Sequence, residues 1–444
     1  MLVESYLIAS ASMVGATAYF TLKTRGYIST TSMLMGFLLA LYGPAYLIFM
    51  LYYNESSLVY RQLANSPYFA DGVISLNLSI AIMFLGCIGG IELADKFLSG
   101  KQYELDGALK HWEHRPLSKN SNFAMLLVAT NLSLFAYMAL ISLREDHFGV
   151  ILGFLSAPNF ASAKDEYRLL FGGSNTYAYR LVLTSIAPFF LIWGILESWT
   201  SRSKTLLLGS LLLLLTILLG RMETLSRAPV AFLIIQLGFA CLLCLRNRLT
   251  WPVVAFGSVM LLAIFYPLIR LTIPETALGA TAINFFFRRA FFVPNEAVLE
   301  FFTAFPYYLS HSWGTNIRPI ALLLGTDFHP AFADVSYLWR SQSGSISNSM
   351  FIADAYADFS FLGVAAASLF VGSVCRLIDL LFLPSDKSPM VVAALSSALL
   401  GVLHLMAGAV QTAMLSGGLL SVPLVALGVS STSALFRTRD VKNR

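Results

Sequence analysis

Two uninterrupted apolar runs, TLLLGSLLLLLTILLG and WPVVAFGSVMLLAIFYPLI, constrain this chain more than any other feature. Each holds roughly 16 to 20 residues without a charge, close to the ~20 that a helix needs to cross ~30 Å of hydrocarbon. Comparable runs recur along the whole sequence. Hydrophobic residues make up 57% of it and charged residues 12%, with a mean hydropathy of +0.72. A soluble domain carries about 25% charged residues, so that class is excluded. Runs of this length pair their backbone amides internally as helices, not as a β-barrel. The expected fold is all-α: a polytopic integral membrane protein forming a single transmembrane domain over residues 1–444.

Hydropathy predicts about eleven spans. They lie near Leu2 to Thr21, Thr31 to Tyr53, Gly72 to Leu93, Asn122 to Ser142, Tyr179 to Trp199, Thr205 to Gly220, Pro229 to Leu245, Trp251 to Leu271, Phe351 to Leu383, Pro389 to Met406 and Ala409 to Leu435. The first has no basic stretch before it and is followed by Lys23 and Arg25, which reads as an uncleaved anchor rather than a signal peptide. Gly86 and Gly90 sit at the G-x-x-x-G spacing that lets helices approach closely. The four cysteines, Cys87, Cys241, Cys244 and Cys375, all fall inside these spans and read as small apolar packers. Cys241 and Cys244 form a C-x-x-C, yet no second pair or histidine accompanies it, so no metal site is expected.

Orientation follows from the short loops that collect lysine and arginine. Placing Lys23/Arg25, Arg202/Lys204, Arg246/Arg248 and the tail with Arg437, Arg439, Lys442 and Arg444 in the cytoplasm satisfies the positive-inside rule at each of them. The segment from Leu143 to Ala178 and the long loop 272–350 then lie outside. The net charge of +5 mostly reflects these loop ends, so nucleic acid is not a partner; the lipid bilayer is.

The outer face carries arginines where basic residues are normally scarce: Arg221, Arg227, Arg270, Arg288, Arg289, Arg318 and Arg340. A guanidinium binds phosphate through a planar two-pronged fork and never loses its charge, which suits a lipid-linked diphosphate. Local carboxylates or lipid headgroups would satisfy the same arginines equally well. Asp354 and Asp358 are four apart and share one helical face with Phe361 where the loop meets the next span. Glu296 follows Arg289 by seven, with Pro294 between them as a possible helix end. His311 and His329 are the histidines of the loop. The aromatic density of FFFRRAFF and EFFTAFPYYLSHSW fits either sugar stacking, with Tyr307, Tyr308 and Trp313 lining a groove, or an interfacial belt.

Three stretches, GRMETLSRAPVAFLIIQLGFACLL, RRAFFVPNEAVLEFFTAFPYYLSHSWG and NSMFIADAYADFSFLGVAAASLFVGSVCRLIDLL, together resemble the Wzy-type polymerases of bacterial surface polysaccharides. The likeness covers roughly the second half of the chain, and the paired Arg-x10-Gly motif of some members is not recovered. The resemblance implies a GT-C-like fold and a metal-independent glycosyltransferase without cofactors. It would act at the periplasmic face of the bacterial inner membrane, joining undecaprenyl-diphosphate-linked donor and acceptor glycans, with a chain-length regulator and flippase as possible partners. In that frame Arg288 and Arg289, supported by Arg221, Arg227 and Arg318, would hold the diphosphate. Asp354, Asp358, Glu296 and His311 are the candidate bases, with Tyr356 of the A-D-A-Y-A-D-F run as a substrate contact. The nearest rival readings are an O-antigen ligase, with similar chemistry on a lipid A-core acceptor, and a lipid-linked glycan flippase. The duplicated halves and mid-span charges of a transporter are not evident.

Overall fold

The computed structural model describes residues 1–24, 26–53, 58–112, 114–118, 124–156, 177–222, 227–245, 248, 250, 288–340 and 349–430. Among them the chain is helical, and no β-strand occurs. Six helical stretches are long and apolar enough to cross a membrane: Thr30–Tyr52, Phe69–Phe97, Ala124–Arg144, Tyr177–Ser201, Lys204–Arg221 and Phe351–Phe382. The protein is therefore a membrane-embedded α-helical protein. Its helices also leave leucines bare. On the Lys204–Met222 helix Leu208 and Leu215 are more than half exposed, while Leu206, Leu213 and Ile217 on the other side are fully buried. Hydrocarbon takes such a stripe without cost; water does not.

The remaining expected spans fare differently. Leu2–Thr24 forms a helix but stands outside the six, and Val230–Leu245 and Pro389–Leu405 are apolar but shorter. The expected span from Ala409 to Leu435 is broken, with helix Val410–Met414 separated from Ser421–Ser430 by turns through Gly418, whose φ of 86° only glycine adopts readily. Trp251 to Leu271 lies outside the described residues.

The chain divides into two compact units. The first comprises Met1–Gly100, Arg248–Leu377 and Val402–Ala413. Its frame is the pair of helices Phe69–Phe97 and Phe351–Phe382, which run side by side through glycine. Gly86 lies against Ser368, Gly90 against Leu369 and Ser373, and Gly372 against Cys87. A Cβ at Gly90 would collide with the Leu369 carbonyl, so the spacing read as a packing signal is one. The Ser373 hydroxyl donates to the Gly90 carbonyl at 3.1 Å. At one end of this pair the buried Asp95 accepts from Arg376 Nε at 2.6 Å and from Lys23 at 2.6 Å, tying in helix Leu2–Thr24. The Thr30–Tyr42 helix starts at Ser29, whose hydroxyl caps the Ser32 amide, and breaks at Gly43-Pro44, since proline has no N–H to continue it.

The second unit comprises Lys101–Asn247, Ile378–Gly401 and Met414–Arg444. Helices Ala124–Arg144, Ala187–Ser201, Lys204–Met222 and Arg227–Leu245 enclose a core of Met138, Leu183, Leu191, Leu213, Ile217 and Leu233. Within it the Asn131 amide donates to Ser210 Oγ at 3.1 Å beneath Gly194, and Gln236 to Ser397 at 2.8 Å. In a membrane such cross-helix bonds add modest cohesion, about 0.6 kcal/mol each.

Candidate functional site

The site grows from a short helix and a loop in the first unit. Helix Val293–Ala304 carries Pro294 in its first turn, where a missing N–H costs nothing. Asn295 through Ala304 are all buried, and the helix packs so tightly on Phe69–Phe97 that Gly72 touches Phe302 and Thr303. After Pro306 the chain turns through Trp313 (φ 47°) and Gly314 (φ 96°). It then meets the start of the Phe351–Phe382 helix, which is itself interrupted at Phe359 and Ser360. Ser360 adopts φ 54°, ψ −147°, a region L-residues rarely occupy, so its surroundings must hold it. Three consecutive loop amides do so. Ser312 N–H donates to the Ala357 carbonyl at 2.9 Å, Trp313 N–H to the Asp358 carbonyl at 3.1 Å, and Gly314 N–H to Asp358 Oδ1 at 3.1 Å.

Asp354 and Asp358 fall on one face, as their spacing requires, and a single side chain bridges them. Asn316 Nδ2 donates to Asp354 Oδ1 at 3.1 Å and to Asp358 Oδ2 at 3.3 Å, while Asn316 Oδ1 accepts from the Ala331 amide at 3.0 Å. The Asn316 carbonyl accepts from Gln411 Nε2 at 3.0 Å. Asp358 is 1% exposed with both oxygens engaged; Asp354 is 7% exposed and, among the described residues, keeps one oxygen without a hydrogen-bond donor. Aromatic rings cluster beside this turn. His311 lies with Nδ1 3.3 Å from the Ala357 carbonyl, stacked on Phe305 and edge-on to Trp313 and Tyr356. Tyr356 is 2% exposed and stacks on Phe302 at 4.2 Å. Phe361 does not continue the aspartate face, because the break at Phe359–Ser360 resets the helical register.

The cations are dispersed. Arg288 opens the turn Arg288–Phe292 and is exposed, and Arg318 is exposed with its guanidinium 6.0 Å from the Phe328 ring. Among the described residues neither bonds an aspartate of the pair. Arg340 is committed to Glu300, donating from Nε at 3.1 Å and from Nη2 at 2.6 Å to a carboxylate with no exposed surface. Glu296, one turn before Glu300, is buried and without a hydrogen bond or ion pair among the described residues. His329 Nε2 lies 2.8 Å from Asp334. Arg221 belongs to the second unit, where it is 3% exposed and donates from Nη2 to the Thr184 carbonyl at 3.2 Å. The side chains of Arg227 and Arg289 lie outside what is described.

Of the residues expected from sequence, the structure thus gathers Asp354, Asp358, His311 and Tyr356. It adds Asn316, which nothing singled out beforehand; its signal was the turn-forming S-W-G-T-N run, whose asparagine is suited to bonding backbone and carboxylates at a loop end. No family model, curated protein or solved structure matches the chain.

Proposed function

We propose that the protein polymerises undecaprenyl-diphosphate-linked oligosaccharide repeat units into a surface polysaccharide, at the periplasmic face of the bacterial inner membrane. The observation that carries this reading is the carboxylate pair bridged by Asn316 at the mouth of a span, with the ring cluster of His311, Trp313 and Tyr356 packed beside the same turn. Glycosyl transfer needs one base and fixed positive charge. The acceptor hydroxyl oxygen attacks the anomeric carbon of the donor, the bond from that carbon to the diphosphate breaks, and its electron pair leaves with the phosphate. The acceptor proton passes to Asp354, one of whose oxygens has no hydrogen-bond donor among the described residues, while Asp358, held by Gly314 and Asn316, fixes the loop. The exposed Arg288 and Arg318, with Arg289, neutralise the departing diphosphate. A chain-length regulator and a flippase are natural partners of such an enzyme.

Purified Asp354→Asn and Asp358→Asn proteins, assayed with lipid-linked repeat units, test the assignment. Loss of a base costs about 10²- to 10⁴-fold in turnover, expected at Asp354; near-parental rates in both variants would move the base to Glu296 or His311. Products longer than one repeat on the lipid distinguish polymerisation from ligation to a lipid A-core.

A further inference from the structure

The turn between helix Leu58–Ala64 and helix Phe69–Phe97 carries Ser66 and Tyr68 and brings together aromatic rings from two distant segments. Tyr68 stacks on Tyr307 with centroids 4.5 Å apart and planes within 6°, and Tyr308 meets Tyr68 edge-on at 5.5 Å. Ser66 Oγ and the Tyr308 phenol lie 3.0 Å apart. Asp71, an exposed carboxylate in the first turn of Phe69–Phe97, lies close enough to the Tyr307 phenol to act on it electrostatically. Partial burial first, and then that carboxylate, push the Tyr307 phenol above its ordinary value, so it stays a neutral donor. Trp339 backs the cluster, edge-on to Tyr308 at 5.5 Å, and is fastened through its indole N–H to the Glu300 carbonyl at 3.1 Å. The ion pair of the buried Glu300 with the half-buried Arg340 pins helix Ala331–Arg340, which carries Trp339. Yet the three tyrosines remain 36%, 40% and 42% exposed.

We propose that Tyr68, Tyr307 and Tyr308, edged by Ser66 and Asp71, form a carbohydrate-binding platform that holds a saccharide unit of the glycan away from the bond being made. The proposal rests on the glycan-polymerising reading above. A pyranose presents a face of C–H bonds, whose positive edge matches the negative face of an aromatic ring, and a rim of hydroxyls that a carboxylate and phenols accept from or donate to. A lipid chain offers the first but would strip water from Asp71 without replacing it. Interfacial-belt tyrosines also point phenols at water singly; here Ser66 holds the Tyr308 phenol, Asp71 flanks that of Tyr307, and the rings are held by one another. The chain from Tyr308 to Ser312 then leads directly to the amides bonded at Ala357 and Asp358, so a glycan lying on the platform is guided toward the carboxylate pair.

The test uses full-length protein in nanodiscs and, as probe, surface glycan released from the producing cells by mild acid, with affinity read by saturation-transfer NMR. Loss of one stacked ring worth about 1.4 kcal/mol weakens binding about tenfold, so Tyr68→Ala and Tyr307→Ala are each expected to lose about that factor. Tyr307→Phe, which keeps the ring, should lose far less. Farnesyl diphosphate, a probe for the arginines, should bind all variants like the parent, which also reports that they are folded. Glycan affinity unchanged in both alanine variants, or no glycan binding by the parent, overturns the platform. Ring-dependent glycan binding by a protein that fails to extend lipid-linked repeats upholds the platform while removing the polymerase reading.

Discussion

Asn316→Ala is the perturbation that most directly interrogates the bridged carboxylates. It removes an amide that donates to Asp354 at 3.1 Å and Asp358 at 3.3 Å, and a carbonyl that accepts from Ala331 at 3.0 Å. A hydrogen bond to a charged group contributes about 1.5–3 kcal/mol net and a neutral one about 1. With the 3.3 Å contact counted as weak, the loss is on the order of 3–5 kcal/mol. Asn316→Asp keeps the shape but puts a third carboxyl beside two others, and should be worse. Asp354→Asn is the opposite case. Its new amide carbonyl still accepts from Asn316, so stability should fall by about 1 kcal/mol or less, while the proposed glycosyl transfer should collapse. Unfolding of each purified protein by SDS titration in one detergent, beside the parent, gives the ranking. An Asn316→Ala protein within about 0.5 kcal/mol of the parent, the scatter expected of unconstrained surface positions, would refute the idea that this amide holds the pair.

Replacing Asp95 by alanine strands the buried Arg376, while Lys23 keeps Glu92 at 3.1 Å, and is expected to cost about 3–5 kcal/mol, with part recovered by a second change, Arg376→Met; the same SDS titration reads both. Burial pushes the His147 imidazole below its ordinary value of 6.5 against the pull of Glu145 and Asp146. The unfolded chain therefore takes up the proton first, so its contribution is full above about pH 6.5 and is lost as pH falls through the lowered folded value. Thermal melts across that range should flatten in His147→Gln. A cysteine at the exposed Ser310 should react with an impermeant thiol reagent in cells whose outer membrane alone is permeabilised; labelling only after lysis would reverse the orientation argued from the basic loops.

What could be read from the sequence was whatever depends on period and composition. Membrane embedding followed from apolar run length, and the pairing of Gly86 and Gly90 with a neighbouring helix from their spacing. Asp354 and Asp358 met one partner because four residues make about one turn. The helix break at Phe359–Ser360 was invisible, since neither residue is a breaker and the loop amides that permit it are more than forty residues upstream in the chain. For the same reason Asn316 went unseen, and Arg340 looked like a free outer cation although Glu300 claims it. Local pattern gives faces of helices; which distant side chain meets a face is decided by tertiary packing.

The interruption at Phe359–Ser360 has a bearing on how such a protein can change over time. Where a helix stops inside a bilayer-embedded protein, the carbonyls it abandons need donors from elsewhere. Those of Ala357 and Asp358 find them in Ser312 and Trp313, so the loop stands in for a missing turn of the span. Loops of this kind are usually the freely exchanged part of an enzyme, swapped to change specificity while the scaffold persists. This one is not detachable: a graft that alters its length near Trp313–Gly314 would unhook the span's own backbone, so the loop can vary only by substitution of exposed side chains along a fixed path.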